Sequence, residues 1–204
     1  MSDYKTIIVI GRQFGSGGKS VAAEIGKRLS IPVYDNELIK KAAEDSGFNP
    51  ALFEKVDERR SFLSLPGFVD GGKYGISENY VDRDGLFKIQ SQVISDISEK
   101  GSAIFVGRCS DYVLREKNPL SVFITSPMEE RIARVAERES ITPEAAASLI
   151  RKKDKVRQTY YNFYTLGNWG LAENYDICIN SALLGTEEAA ECIIGFGKKA
   201  GRIQ

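Results

Sequence analysis

The chain has 204 residues, 42% of them hydrophobic and 27% charged, which suits one globular domain, or a domain carrying an inserted subregion, with a buried core. Lys plus Arg and Asp plus Glu each number 28, so no net charge draws the chain to a nucleic acid polymer or a membrane surface. Histidine is absent, which excludes a His-based triad, a His metal site and any imidazole acid or base.

No apolar run approaches membrane-spanning length, and the opening MSDYKT is not a signal peptide, so the expected location is the cytoplasm. Cys109, Cys178 and Cys192 are scattered and odd in number, and they are expected to be reduced and mostly buried.

In chain order, Ile7-Ile8-Val9-Ile10 is an apolar, β-branched strand. It breaks into a turn holding Gly11, Gly15, Gly17 and Gly18, ends on Lys19-Ser20, and passes into helical periodicity from Val21 to Leu29. A strand, a glycine-rich loop and a helix opening on Lys-Ser make a phosphate-binding P-loop. Backbone N–H groups must converge on phosphate oxygens there, and glycine allows the close approach. Gly15, Ser16, Gly17, Gly18, Lys19 and Ser20 are thus the expected ATP-binding residues. Lys19 would reach the β- and γ-phosphates and Ser20 would ligate Mg²⁺. The strict pattern G-x-x-x-x-G-K-[ST] has Gln13, not glycine, at its first position.

Ile31 to Tyr34 is a short strand ending at Asp35, which is either a helix N-cap or a site carboxylate, or both. Asn36 to Glu44 is helical, and Asn49-Pro50 opens another expected helix to about Phe62. Ser64 to Gly85 carries Pro66, several glycines and scattered aromatics, and is expected to be a long loop or mobile flap. Helical spacing resumes from Leu86 to Lys100, followed by a buried strand, Ala103 to Val106, ending on Gly107-Arg108. Arg108 lies where ligands bind in parallel sheets.

Ser121 to Thr125 is a further strand, and Ser126-Pro127-Met128-Glu129 has the pattern of a capping box. The next helix carries Arg131, Arg134 and Arg138 on one face. A second basic helix, capped by Thr142-Pro143, holds Arg151, Lys152, Lys153, Lys155 and Arg157. Glu129, Glu130, Glu137, Glu139 and Asp154 could simply pair with these cations. Beside a P-loop the same stripe can serve as a lid, because γ-phosphoryl transfer needs cations around the equatorial oxygens. Tyr160 to Tyr164 with Trp169 is an aromatic cluster suited to packing or to a homo-oligomer surface. Tyr175 to Asn180 is the last strand, and Gly185-Thr186 opens the expected final helix.

These residues resemble the nucleoside monophosphate kinase group, and most closely the cytidylate kinase-like family. The resemblance runs from Ile7 to about Ile194. It rests on the Gln13-to-Ser20 loop, Tyr34-Asp35, Val106-Gly107-Arg108, the Ser126-to-Arg138 helix, Lys153-Asp154-x-x-Arg157, and Tyr175 to Ser181. It implies a five-stranded parallel sheet with helices on both faces, of the P-loop NTPase type, as a single kinase domain over 1–204. Residues 36–100 would be an acceptor-binding insert and 127–165 an arginine-bearing lid. It implies that Arg108 and Asp35 lie in the acceptor site and that Arg131 and Arg157 bridge donor and acceptor phosphates. Cytidylate kinases carry Asp-Gly-Arg-Asp where this chain has Val106-Gly107-Arg108-Cys109, so two carboxylates that would help hold Mg²⁺ are missing. Asp35 or Asp111 could substitute.

The expected activity is ATP- and Mg²⁺-dependent phosphorylation of a small acceptor, most simply a nucleoside monophosphate. Two alternatives stay open: a kinase of a metabolite hydroxyl with Asp35 as base, and a nucleotide-binding sensor without turnover.

Overall fold

A computed structural model of the chain describes residues 5–45, 47 and 77–204. Five parallel strands form one sheet in the order β2-β3-β1-β4-β5: β1 (Ile7–Arg12), β2 (Val33–Tyr34), β3 (Ala103–Val106), β4 (Leu120–Thr125) and β5 (Ile177–Asn180). The helices are α1 (Gly18–Leu29), α2 (Asn36–Asp45), α3 (Ser77–Lys100), α4 (Ser110–Val113), α5 (Met128–Glu139), α6 (Pro143–Thr165) and α7 (Ser181–Lys199).

The unbroken apolar run in β1 follows from burial on both faces. Ile8 and Ile10 enter one core with Val21, Ala22 and Ile25 of α1 and Ala189, Ala190 and Ile193 of α7. Ile7 and Val9 enter the opposite core with Ile39 and Ala43 of α2 and Val93 and Ile94 of α3. With two of these helices packed on each face, β1 ends at the centre of the sheet's C-terminal edge. This is the α/β architecture of P-loop NTPases, as the sequence led us to expect.

Several boundaries differ from expectation. The segment from Ser77 to Gly85 is the start of α3, not part of a flap. The Glu78-to-Asp84 run has no proline and one β-branched residue, and the single Gly85 costs about 1 kcal/mol, which a long helix absorbs. The rest of the expected flap, 64–76, and the helix expected over 50–62 lie outside the described residues. Ser126 is not a cap: α5 is capped by Pro127 with no side-chain bond, and the Ser126 hydroxyl is buried without a partner. The proline fixes the extended φ/ψ that the cap position needs. Thr142 does cap α6, accepting from the Ala145 amide. Helix α7 starts at Ser181, with Asn180 accepting from the Ala182 amide, and is kinked at Gly185, where φ is 78°. Cys109 is buried, but Cys178 and Cys192 are exposed.

Candidate active site

The P-loop leaves β1 at Arg12 and enters α1 at Gly18. Gly17 caps the helix with φ 76°, a left-handed conformation that glycine adopts freely. The first turn of α1 has no acidic residue, so the positive end of its dipole faces the loop unneutralised. Gln13 explains the departure from the strict motif. Its backbone needs no positive φ, and its side-chain carbonyl accepts from Thr125 Oγ1 at 2.6 Å and the Ser126 amide at 3.2 Å. It therefore moors the loop to the end of β4. Ser16 is buried, with its hydroxyl donating to the Gln13 carbonyl at 2.9 Å. Gly15 packs against α5: a Cβ there would meet Val135 Cγ2 at 2.8 Å.

Lys19 and Ser20 are exposed at the start of α1. Lys19 Nζ donates to Asp35 Oδ2 at 2.7 Å. Asp35 Oδ1 accepts from the Glu37 and Leu38 amides. Asp35 is thus both the cap of α2 and a partner of the P-loop lysine. Burial acts to raise its carboxyl, but the Lys19 hydrogen bond and the two amides outweigh it and hold the group below its ordinary value.

The edge of β3 is bent sharply. Gly107, Arg108 and Cys109 have φ of 79°, 61° and 53° in succession. Two non-glycine residues in the left-handed region store strain of the kind that collects at functional turns. The Arg108 guanidinium lies over the Tyr160 ring, 5.6 Å from its centroid. Tyr160 Oη donates to Gln90 Oε1 at 3.1 Å, fixing the ring against α3. The aromatic cluster therefore packs, as expected, through Phe87 stacked on Tyr164 at 4.0 Å, but one of its members also supports a site arginine.

Of the two arginines expected to bridge phosphates, Arg157 bonds to the end of β1 and Arg131 lies beneath the P-loop. Arg157 Nη1 donates to the Arg12 carbonyl at 3.0 Å. Arg131 is buried beneath the loop, with Nη1 donating to Asp154 Oδ2 at 2.6 Å. Asp154 Oδ1 also accepts from the Phe14 amide at 2.7 Å. Arg134 donates to the Gly15 carbonyl at 2.6 Å, and Arg138 lies over the Phe14 ring. The basic stripe is therefore partly self-paired and partly the scaffold that holds the P-loop.

Arg12 lies beside these candidate residues and was not singled out in the sequence. Its signal was its place at the C-terminal end of the central strand, directly before the loop. Burial, then the charges of Arg157 and Arg108, pull its guanidinium down to about 9 against the opposing pull of Asp35. Burial likewise lowers Arg157, with Arg108 and Arg138 adding to it and Asp154 opposing. The concentration of positive charge at this edge suits an anion.

Asp111 lies elsewhere: its Oδ2 accepts from Tyr161 Oη at 2.6 Å, and it lines a cavity of about 330 Å³ with Arg115, Asn174 and Arg202. Burial, opposed by the Tyr161 hydrogen bond, holds its carboxyl above the ordinary value. A raised carboxyl stabilises the fold below the unfolded pKa, and that contribution is lost as pH rises through the folded pKa. Asp111→Asn keeps an acceptor for Tyr161 without the charge. The Tm advantage of this variant over the parent is expected to grow between about pH 4 and about pH 7. A constant Tm difference across that range would contradict the assignment.

Burial and Asp111 push the Cys109 thiol up, so it stays protonated near neutral pH. Among the described residues no group of three or more metal-binding side chains occurs. A cation here would have to share its shell with phosphate oxygens and water, which suits Mg²⁺. Ser20 follows Lys19 in the chain and Asp35 bonds to it, so both would offer oxygen donors to such an ion.

Residues 7–183 match the cytidylate kinase-like family. The chain belongs to that family. It therefore carries the nucleotide-binding P-loop of a kinase. Among curated family relatives, the cytidylate kinase of Ignicoccus hospitalis is 25% identical, covering 92% of this chain and 96% of that protein. The cytidylate kinase of Sulfolobus acidocaldarius is 23% identical, covering 92% of each. An uncharacterised protein from Eubacterium ventriosum superposes with a TM-score of 0.73 at 29% identity, covering 94% of this chain and 98% of that one. Shikimate kinase from Acinetobacter baumannii, in complex with shikimate, superposes at 0.54 with 14% identity, covering 97% and 94%, and shares the fold. Among the described residues, no helix is long and apolar enough to cross a membrane.

Proposed function

We propose that the protein transfers the γ-phosphoryl group of ATP to the phosphate of a nucleoside monophosphate. The observation that carries this reading is Arg108. Its guanidinium sits on a strained turn beside the P-loop strand, with no carboxylate within 4.0 Å among the described residues. A fork of donors held there suits a phosphate monoester. The relatives named cytidylate kinase support the same acceptor class.

In this reading Gly15 to Ser20 hold the ATP phosphates, and Lys19 leaves Asp35 for the β- and γ-oxygens. Arg157 neutralises charge on the transferring group. Arg131 acts indirectly, by holding Asp154 and through it the Phe14 amide. Mg²⁺ would be held by Ser20 and, once Lys19 has moved, by Asp35; bound there, it neutralises charge between the β- and γ-phosphates. Residues 36–100 form the acceptor-binding insert and 127–165 the lid. While Lys19 is bonded to it, the Asp35 carboxyl is held low and is a poor proton acceptor. A phosphate acceptor needs no strong base, whereas a hydroxyl acceptor does. A second reading, a nucleotide sensor without turnover, is favoured by Val106 and Cys109 standing where the family pattern has acids.

The test pairs ATP binding by thermal shift with turnover on a panel of nucleoside monophosphates, cytidine monophosphate first. Both binding and diphosphate formation are expected. Tight ATP binding without transfer to any member of the panel would favour the sensor.

A further inference from the structure

Arg12 has no role in the reading above, yet its surroundings are those of a binding group. The last registered pair between β1 and β3 is Ile10 with Val106. Two residues past that pair, Arg12 closes β1 and Arg108 stands in the turn that leaves β3, so two arginines lie at the ends of neighbouring strands. The stem of Arg12 lies against the P-loop: a Cβ on Gly18 would meet Arg12 Cβ at 2.6 Å and Cγ at 3.0 Å. Its head lies against β3: a Cβ on Gly107 would come 1.9 Å from Arg12 Nη1. Glycine at position 107 is thus what lets the guanidinium pass.

The head is also unsatisfied. Arg12 Nε is buried with no hydrogen-bond partner, and no carboxylate among the described residues pairs with the side chain. Arg157 does approach, but through a bond to the Arg12 carbonyl, which brings a second cation rather than a counter-charge. A guanidinium with a buried, unpaired Nε beside two other cations opposes folding. A dianionic phosphate would supply the missing acceptors and charge at once.

We propose that Arg12 binds the acceptor's phosphate, completing with Arg108 and Arg157 a three-guanidinium site between the P-loop and the edge of β3. This deepens the kinase reading and rests on it for the word acceptor. The head adjoins Gly107 and Arg108, not Gly17, whose nearest side-chain neighbour is Arg134. That places Arg12 on the acceptor side of the loop.

The test uses the full chain, its Arg12→Met and Gly107→Ala variants, and three probes: inorganic phosphate, cytidine monophosphate and ATP. Thermal unfolding without ligand and calorimetric Kd values are read for each. Arg12→Met should unfold no lower than the parent, because it removes an unpaired buried charge. It should bind inorganic phosphate and cytidine monophosphate about 30-fold or more weakly, with ATP changed by less than about 3-fold. Gly107→Ala keeps every charge but displaces the guanidinium, and should weaken the same two probes. A Tm several degrees lower for Arg12→Met, with unchanged phosphate affinity, would make Arg12 structural and overturn the proposal. Weakening confined to ATP would overturn it by moving Arg12 to the donor side. If the parent binds inorganic phosphate but no nucleoside monophosphate, and Arg12→Met loses that phosphate, the nucleotide acceptor falls while the Arg12 site stands. A parent that binds none of the three probes overturns both.

Discussion

Lys19→Ala is expected to lower kcat by about 100-fold or more while leaving the fold intact. The side chain is 60% exposed, and its ion pair with Asp35 lies at the surface, where such a pair contributes at most about 1 kcal/mol to stability. Its charge matters when negative charge builds on the γ-phosphoryl oxygens, so the loss appears mainly in the transition state. ATP affinity should weaken only modestly, because loop amides and the α1 dipole remain. A folded Lys19→Ala protein with near-normal turnover would remove the P-loop from the mechanism.

Arg108→Lys should raise the acceptor KM by about 30- to 1000-fold, equivalent to roughly 2–4 kcal/mol, with the ATP KM nearly unchanged. Lysine keeps the charge but not the planar fork that grips two phosphate oxygens. The left-handed backbone at 108 burdens lysine as much as arginine, so the substitution tests the head group and not the turn. The Tyr160 ring, 5.6 Å from the guanidinium, would lose a stacking partner but stay fixed by Gln90. A raised ATP KM with an unchanged acceptor KM would assign Arg108 to the donor. The hydroxyl-acceptor kinase with Asp35 as base would then become the better account.

The alternation of apolar strands and capped helices was legible because β1 and β3 are buried on both faces and so must be continuously apolar. The P-loop was legible because its geometry demands glycine at named places. Arg12 was marked only by its place at the end of the first strand, since a lone arginine has no periodicity to single it out. Its burial beside Arg108 arises from strand pairing across more than ninety residues of sequence. Arg131 misled for a related reason: helical spacing gives the face it shares with Arg134 and Arg138, not what that face meets. The face meets the underside of the loop and Asp154. The capping box at Ser126 failed because Pro127 already sets the entry angle of α5, leaving the serine to be buried.

The most direct test of the account is where the label goes when the protein is given γ-labelled ATP with cytidine monophosphate and, separately, with cytidine. Transfer onto a phosphate predicts a labelled nucleoside diphosphate from the monophosphate and nothing from the nucleoside, with the label on the new β-phosphorus. Label on a hydroxyl of cytidine, with none on the monophosphate, would contradict the phosphate-acceptor site built around Arg108.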